Sequence, residues 1–288
     1  MLEYLTTEFD IIFLSYDEPN AEDNWADLLR KAPWAKRVHG VRGFDSAHKA
    51  CALRSDSERF ITVDGDNIVD AAFFNQRIKI VDEKTQISWS GKNSLNGLIY
   101  GNGGLKLWTR DFVLSMRTHE SADNERAQTD FCWEENYIHE SKVWSETHIT
   151  KTPFQAFKAG FREGVKMSLL NGVSVEPTEF LTMIPKSNLR RLIIWCSVGA
   201  HKQNGLWATY GARLGCYMAN IDTNWDKSLI RDYDWFNDFW NNDFKDLKIE
   251  DVNMRSTTLK KDLEYYLGLK VANLDSESSQ FFMETNQG

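Results

Sequence analysis

Apolar and polar positions along this chain alternate between two periods, and the changes of period predict its elements. The apolar, β-branched run Phe9 to Ser15 reads as a strand, ended by the turn-rich Tyr16-Asp17-Glu18-Pro19-Asn20. Trp25, Leu28 and Leu29 then recur at helical spacing over Ala21 to Lys31. Lys36 to Val41 predicts a shorter strand, and Phe44-Asp45-Ser46 can cap a helix over Ala47 to Ser55. Phe60 to Val63 is a third apolar strand, opening directly into Asp64-Gly65-Asp66-Asn67. Strand, helix, strand, helix, strand is the order of a doubly wound nucleotide-binding half, whose ligands lie at the carboxyl ends of the strands.

Further on, Ile78 to Trp89 alternates in part like a strand, and Leu105 to Trp108 is apolar. Between them stand Gly91, Gly97 and Gly101-Asn102-Gly103-Gly104, either a plain hairpin or a loop whose backbone touches a ligand. Thr147 to Thr150 predicts a short strand carrying a lone histidine, His148. Pro153 to Leu170 has the clearest helical pattern, with Phe154, Phe157, Phe161 and Val165 as its apolar stripe. Lys158, Arg162 and Lys166 fall at successive i+4 steps on another face, either a solvated face or a ridge for an anionic ligand. After Pro185 come the apolar run Leu192 to Val198 and the small-residue stretch Gly205 to Gly215, which suits close helix packing. Asp232 to Phe244 predicts an amphipathic helix, and the last dozen residues look frayed. The boundaries expected are a sheet-containing domain over 1–195 and a mostly helical extension over 196–288 packed on it.

Composition narrows the function classes. Among 288 residues, 34 Lys and Arg stand against 42 Asp and Glu, and the formal net charge of −8 argues against holding nucleic acid through the overall field. A local basic groove is still compatible with it. The opening Met1-Leu2-Glu3-Tyr4 has no basic or apolar leader character, and no run reaches the ~18 apolar residues of a membrane span. Cys51, Cys132, Cys196 and Cys216 form no Cys-x-x-Cys pair and are expected as reduced thiols. A cytoplasmic protein with no membrane partner and no obligate protein partner follows as the expectation. No Gly-x-Gly-x-x-Gly or Walker sequence occurs at the strand ends, so neither a dinucleotide nor a P-loop site is indicated.

The chemistry centres on Asp64 and Asp66. On an extended backbone the two would point the same way and could share one hard cation, with Gly65 leaving room for a ligand; the competing reading is a turn in which one of them caps a helix. Asp130 and Glu134 lie beside Phe131 and Trp133, where burial would raise a carboxyl pKa toward that of a general base; the competing reading makes Glu134 and Glu135 solvated helix positions.

Ser15-Tyr16-Asp17, Gly43 to Lys49 with Ala47-His48-Lys49, and Val63-Asp64-Gly65-Asp66-Asn67 resemble the nucleotide-sugar half of a GT-A glycosyltransferase, a Rossmann-like mixed sheet flanked by helices. Together with Gly101-Asn102-Gly103-Gly104, Gly160 to Lys166, Val198-Gly199-Ala200 and Gly211-Ala212-Arg213, the chain is similar to glycosyltransferases of tailed bacteriophages, some of which add a sugar such as arabinose to 5-hydroxymethylcytosine in DNA. The resemblance implies an α/β enzyme that moves a sugar, arabinose or glucose, from a UDP-sugar to an acceptor hydroxyl. It implies that Ser15, Tyr16, Asp17, His48, Lys49 and Asp64 hold the donor, and that Asp64 and Asp66 hold Mn²⁺ or Mg²⁺ with a later histidine, His148 first and His201 second. Asp130, or Glu134, would be the base if configuration inverts. Trp89, Asn102, Gly103, Lys158, Arg162 and Lys166 would meet the acceptor, with double-stranded phage DNA leading and a glycan or small molecule as the alternative. A non-catalytic nucleotide or nucleic-acid binding module, and a nucleotidyltransferase, are the competing classes.

Overall fold

In a computed structural model, residues 2–100, 103–116, 137–222 and 224–285 are described. Asp130, Glu134, Cys132 and Asn102 lie outside them. The described residues up to His148 form one compact unit and those from Ile149 onward another.

The first unit is built on the predicted alternation. Strand β1 (Leu2–Leu5) stands apart, and the core begins with β2 (Asp10–Ser15), α1 (Ala21–Lys31), β3 (Lys36–His39), α2 (Phe44–Arg54) and β4 (Arg59–Asp64). The chain continues through β5 (Asn67–Val69), β6 (Arg77–Ile80), β7 (Gln86–Asn93), β8 (Ile99–Tyr100), β9 (Leu105–Thr109), α3 (Arg110–Ser115) and β10 (Tyr137–Thr147). The strand expected over Ile78 to Trp89 is therefore two strands, and β6 leaves the main sheet to pair antiparallel with β1. The strand expected at Thr147 to Thr150 instead ends at Thr147.

The main sheet runs β3-β2-β4-β9-β7-β10-β5, with β8 on the side of β7. β2 is parallel to β3 and β4, and β10 is parallel to β7; β9 enters antiparallel between β4 and β7. β5 follows β4 after a two-residue turn, yet pairs with β10 at the far end of that order. The mixed sheet therefore curls on itself at this end. Its close approaches need residues without side chains: a methyl on Gly103 would overlap the backbone of Trp89 and Gly91, and one on Gly104 would overlap Asn67.

Two faces follow from the period of two. Ile61 and Val63 of β4 turn toward a core with Phe9, Phe13, Leu28, Phe73, Ile87, Trp89 and Leu107. Phe60, Thr62 and Asp64 take the opposite face; Phe60 and Thr62 are in register with Trp108 and Lys106 of β9. Trp108 meets His48 of α2 edge-on, with ring centroids 5.9 Å apart. A single strand thus carries an apolar face and a face that ends in an acid.

The second unit, in its described residues, is helical: α4 (Pro153–Met167), α5 (Phe180–Met183), α6 (Lys186–Ser197), α7 (Gly205–Asn220), α8 (Tyr233–Asp243), α9 (Ile249–Leu267) and α10 (Ser276–Thr285). Thr152 caps α4 by accepting from the Gln155 amide at 3.2 Å, and Asp232 caps α8 through the amides of Asp234 and Trp235. α4 and α7 press backbone to backbone: Gly160 and Gly164 face Ala208 and Ala212, while Gly211 and Gly215 face Phe157 and Phe161. Any methyl at these glycines would strike a carbonyl oxygen. This contact places α4 in the second unit, so the division falls at His148 rather than at the expected 195. α9 has no counterpart among the predicted elements, although Val252, Leu259, Leu263 and Leu267 recur at helical spacing and are buried. The C-terminal stretch expected to fray is α10 as far as Thr285.

Cys51, Cys196 and Cys216 are free and buried. Among the described residues no helix is long and apolar enough to cross a membrane.

Candidate functional site

The carboxyl ends of β2, β3 and β4, the amino end of β9 and the ends of β7 and β10 all meet at one edge of the curled sheet. Asp64 closes β4, Gly65 and Asp66 make the turn, and Asn67 opens β5. The two acids are therefore joined by a turn, and the period-two argument that aligned them does not apply. What holds the turn is backbone and amide hydrogen bonding. The Asp64 amide donates to Gly104 O (2.9 Å), Asn24 Nδ2 to Gly65 O (2.9 Å), and the His148 amide to Asp66 O (2.8 Å). Asn67 Nδ2 donates to Asp66 Oδ1 at 2.7 Å, and Asn67 Oδ1 accepts from Thr147 Oγ1 at 3.2 Å. Neither acid caps a helix here.

A third acid belongs to this group. Glu18, in the turn after β2, accepts from the Tyr16 amide at 2.8 Å, and its carboxylate lies so close to Gly65 that a methyl there would sit 2.8 Å from Oε2. The sequence offered the turn-rich stretch as a signal, but nothing in spacing linked Glu18 to residue 65. Burial raises the Glu18 carboxyl pKa, and the charges of Asp17 and Asp64 add to this against the Tyr16 hydrogen bond. Burial, with the charges of Asp64 and Glu18, pushes Asp66 up to about 7, although Asn67 hydrogen-bonds its charged form. Crowding of negative charge is the electrostatic signature of the site.

One cation answers it. Lys106 of β9 is 6 % exposed, and its Nζ lies 3.2 Å from Asp64 Oδ2. Beneath it, His48 is buried under the stacked ring of Phe44, centroids 4.1 Å apart, with Nδ1 3.0 Å from Phe44 O. Burial, and then the charge of Lys106, lowers the His48 pKa to about 4, so the imidazole is neutral at pH 7. His48 is a packing residue under the site; Lys49 beside it is half-buried.

Ser15, Tyr16 and Asp17 lie at the same edge. Ser15 Oγ is 2.9 Å from His39 Nδ1 and accepts from Arg37 Nε at 3.1 Å, while Arg37 grips both oxygens of Glu22 at 3.0 and 2.6 Å. Asp17 is exposed and Tyr16 half-buried. Arg37 and His39 were not anticipated, because only the parallel register of β2 and β3 brings them to Ser15, and Glu22 of α1 joins through Arg37.

Other expected contacts fall elsewhere. Trp89 is 5 % exposed and meets Phe73 edge-on at 5.1 Å, so its ring is core and has no free face for an acceptor base. Gly103 serves the close approach of β7 and β9, its amide donating to Trp89 O at 2.9 Å. In the second unit, the Lys158 ammonium lies 4.0 Å from the ring centroid of Tyr233, Arg162 is half-buried, and Lys166 Nζ reaches Glu163 Oε1 at 3.7 Å. Lys158 and Lys166 are thus engaged within the helical unit.

His148 adjoins the acidic turn through its backbone, and its Nε2 lies 3.6 Å from Glu146 Oε2. Among the described residues, no three His, Cys, Asp or Glu side chains gather closely enough to hold a metal ion, so Asp64, Asp66 and His148 do not form a ready ligand set. The donors at the turn are hard carboxylate oxygens. They fit a Mg²⁺- or Mn²⁺-type cation that takes its remaining ligands from a bound diphosphate and water, the usual arrangement for such ions.

Comparison with family models, with characterised proteins and with solved structures yields no match to this chain. The fold and site define a class: a mixed α/β protein with a crowded acidic turn at the carboxyl ends of its parallel strands.

Proposed function

We propose that the chain is a GT-A-type glycosyltransferase that moves a sugar from a UDP-sugar to an acceptor hydroxyl. The observation that carries this reading is the Asp64-Gly65-Asp66 turn at the carboxyl edge of the sheet. There Asp66 and Glu18 hold raised carboxyl pKa values against one buried lysine. Such a cluster is costly unless positive charge reaches it with the substrate. A divalent cation bound there supplies charge neutralisation for the departing diphosphate.

The chain's own residues do the rest. Asp64 and Asp66 would hold the cation and so help to orient the diphosphate, and Ser15, steadied by Arg37 and His39, would face the nucleoside end. Gly65, with Glu18 pressed against it, leaves no space for a larger side chain beneath the donor. Asp130, with Glu134 as second choice, takes the proton from the acceptor hydroxyl if configuration inverts. The acceptor to test first is 5-hydroxymethylcytosine in double-stranded DNA.

The test is release of nucleoside diphosphate from a panel of UDP-sugars with Mn²⁺, with and without hydroxymethylated DNA, in wild type and Asp66→Ala. Release that needs metal and modified DNA and is lost in the variant is the expected result. Metal-dependent release indifferent to DNA moves the acceptor to a glycan or small molecule. No release from any donor by folded protein overturns the reading in favour of a binding module.

A further inference from the structure

We propose that Lys106 makes cation and nucleotide bind together at the acidic turn, by holding Asp64 in an ion pair that a cation alone cannot displace. The inference rests on the proposed function for the identity of the nucleotide, a nucleoside diphosphate.

The geometry begins in the register. Lys106 stands opposite Thr62 across the antiparallel β4–β9 pair, and Asp64 lies two residues farther along the same face of β4. Their side chains meet at 3.2 Å, with the Lys106 side chain 7 % exposed and that of Asp64 37 % exposed. The two partners are thus unequal. Asp64 can turn to water or to a ligand, whereas the ammonium is almost wholly withdrawn from water. A buried ammonium that loses its carboxylate pays desolvation without return.

A divalent cation that approaches Asp64 therefore meets a nearby positive charge and competes for a carboxylate whose Oδ2 is already held by the ammonium. Among the described residues no three His, Cys, Asp or Glu side chains could hold a metal ion, so the protein alone leaves such a cation short of ligands. A nucleoside diphosphate changes this balance. Its oxygens supply the missing ligands, and its negative charge offsets the repulsion between cation and ammonium. Cation and nucleotide each raise the affinity for the other, as linkage requires. Lys106 is in this sense a positioning residue, acting through Asp64.

The test is Mn²⁺ binding followed by electron paramagnetic resonance, with and without UDP, in wild type, Lys106→Met, Asp64→Asn and the double variant. Wild type is expected to bind Mn²⁺ weakly alone and more tightly with UDP. Lys106→Met, which keeps the length of the stem, should bind Mn²⁺ alone about tenfold more tightly, a coupling typical of groups in contact, and UDP should then add correspondingly less. In the double variant the gain should vanish, because Asp64 is what Lys106 withheld. Lys106→Gln supplies a second neutral side chain if Lys106→Met does not fold. Unchanged Mn²⁺ affinity in both neutral variants, or a gain that persists without Asp64, overturns the inference. If UDP binds to none of the proteins, the nucleotide reading falls, while the Mn²⁺ affinities alone still decide whether Lys106 withholds Asp64.

Discussion

Both units of this protein bury a strong cation, and they treat it in opposite ways. In the helical unit Arg213 is 1 % exposed and fully bonded to neutral acceptors: Cys196 O at 2.9 and 2.7 Å, Ser256 O at 3.0 Å, Ser256 Oγ at 3.1 Å and Ala272 O at 2.9 Å. It fastens α6, α7, α9 and the segment after α9 by donating to backbone carbonyls of three different segments. In the sheet unit Lys106 meets one carboxylate of a crowded group in which Asp66 and Glu18 keep raised pKa values. A saturated network is architecture. An unbalanced one, at the edge of a sheet where ligands of such sheets bind, is where the proposed sugar transfer would take place.

The contrast can be broken by substitution, beginning with the largest expected effect. Asp66→Ala should cut sugar transfer on the order of a thousandfold, the scale of losing a charge-stabilising group, while the urea midpoint stays level or rises. A lowered midpoint with activity retained would make the turn architecture too. Arg213→Met should destabilise by about 3 kcal/mol in urea unfolding, since several buried carbonyls lose their donor together. Gly164→Ala, which drives a methyl into the Ala212 carbonyl, should cost about 2 kcal/mol in the same measurement.

A pH series sharpens the comparison. The Asp66 carboxyl keeps its proton to about pH 7 in the folded chain but to about 3.8 when unfolded, so the folded state binds more protons between these values. On this group's account stability is greatest below pH 4, falls as pH rises toward 7, and stays reduced above it. Asp66→Asn should flatten that fall, measured as urea midpoints at pH 5 and pH 8; an equal fall in the variant would assign the slope to other groups. Lys166→Ala should change stability by no more than about 0.5 kcal/mol, as its contact with Glu163 is a partly exposed i,i+3 pair. If Lys166 does contact a DNA phosphate, the salt dependence of DNA binding should drop by about one unit of slope in that variant.

Much of the frame was legible because it is local. Apolar runs and helical spacing between Phe9 and Asp64 predict β2, α1, β3, α2 and β4 in order, and Gly205 to Gly215 reads as a helix made for close packing. α9 went unassigned because its buried positions, with Ser256 among them, are thinly apolar, and α10 because its composition is polar. Within the site, Asp64 and Asp66 stood out as carboxylates after a core strand. Glu18, Arg37, His39 and Lys106 did not, because each reaches the edge through pairing across strands or a turn folded back on Gly65. Trp89, an aromatic beside a glycine-rich loop, looked available from the sequence and is enclosed by Phe73 once the sheet curls.

By itself, then, the sequence determined the alternation of strands and helices, the carboxylates at the end of β4, and a glycine-faced helix, since periodicity and residue type act over a few neighbours. Tertiary structure alone decided that Asp64 and Asp66 form a turn rather than one strand face, that Glu18 lies against that turn, and that Lys106 pairs with Asp64. Those outcomes depend on sheet order and register, which bring residues dozens of positions apart within hydrogen-bond distance and leave no trace in local spacing.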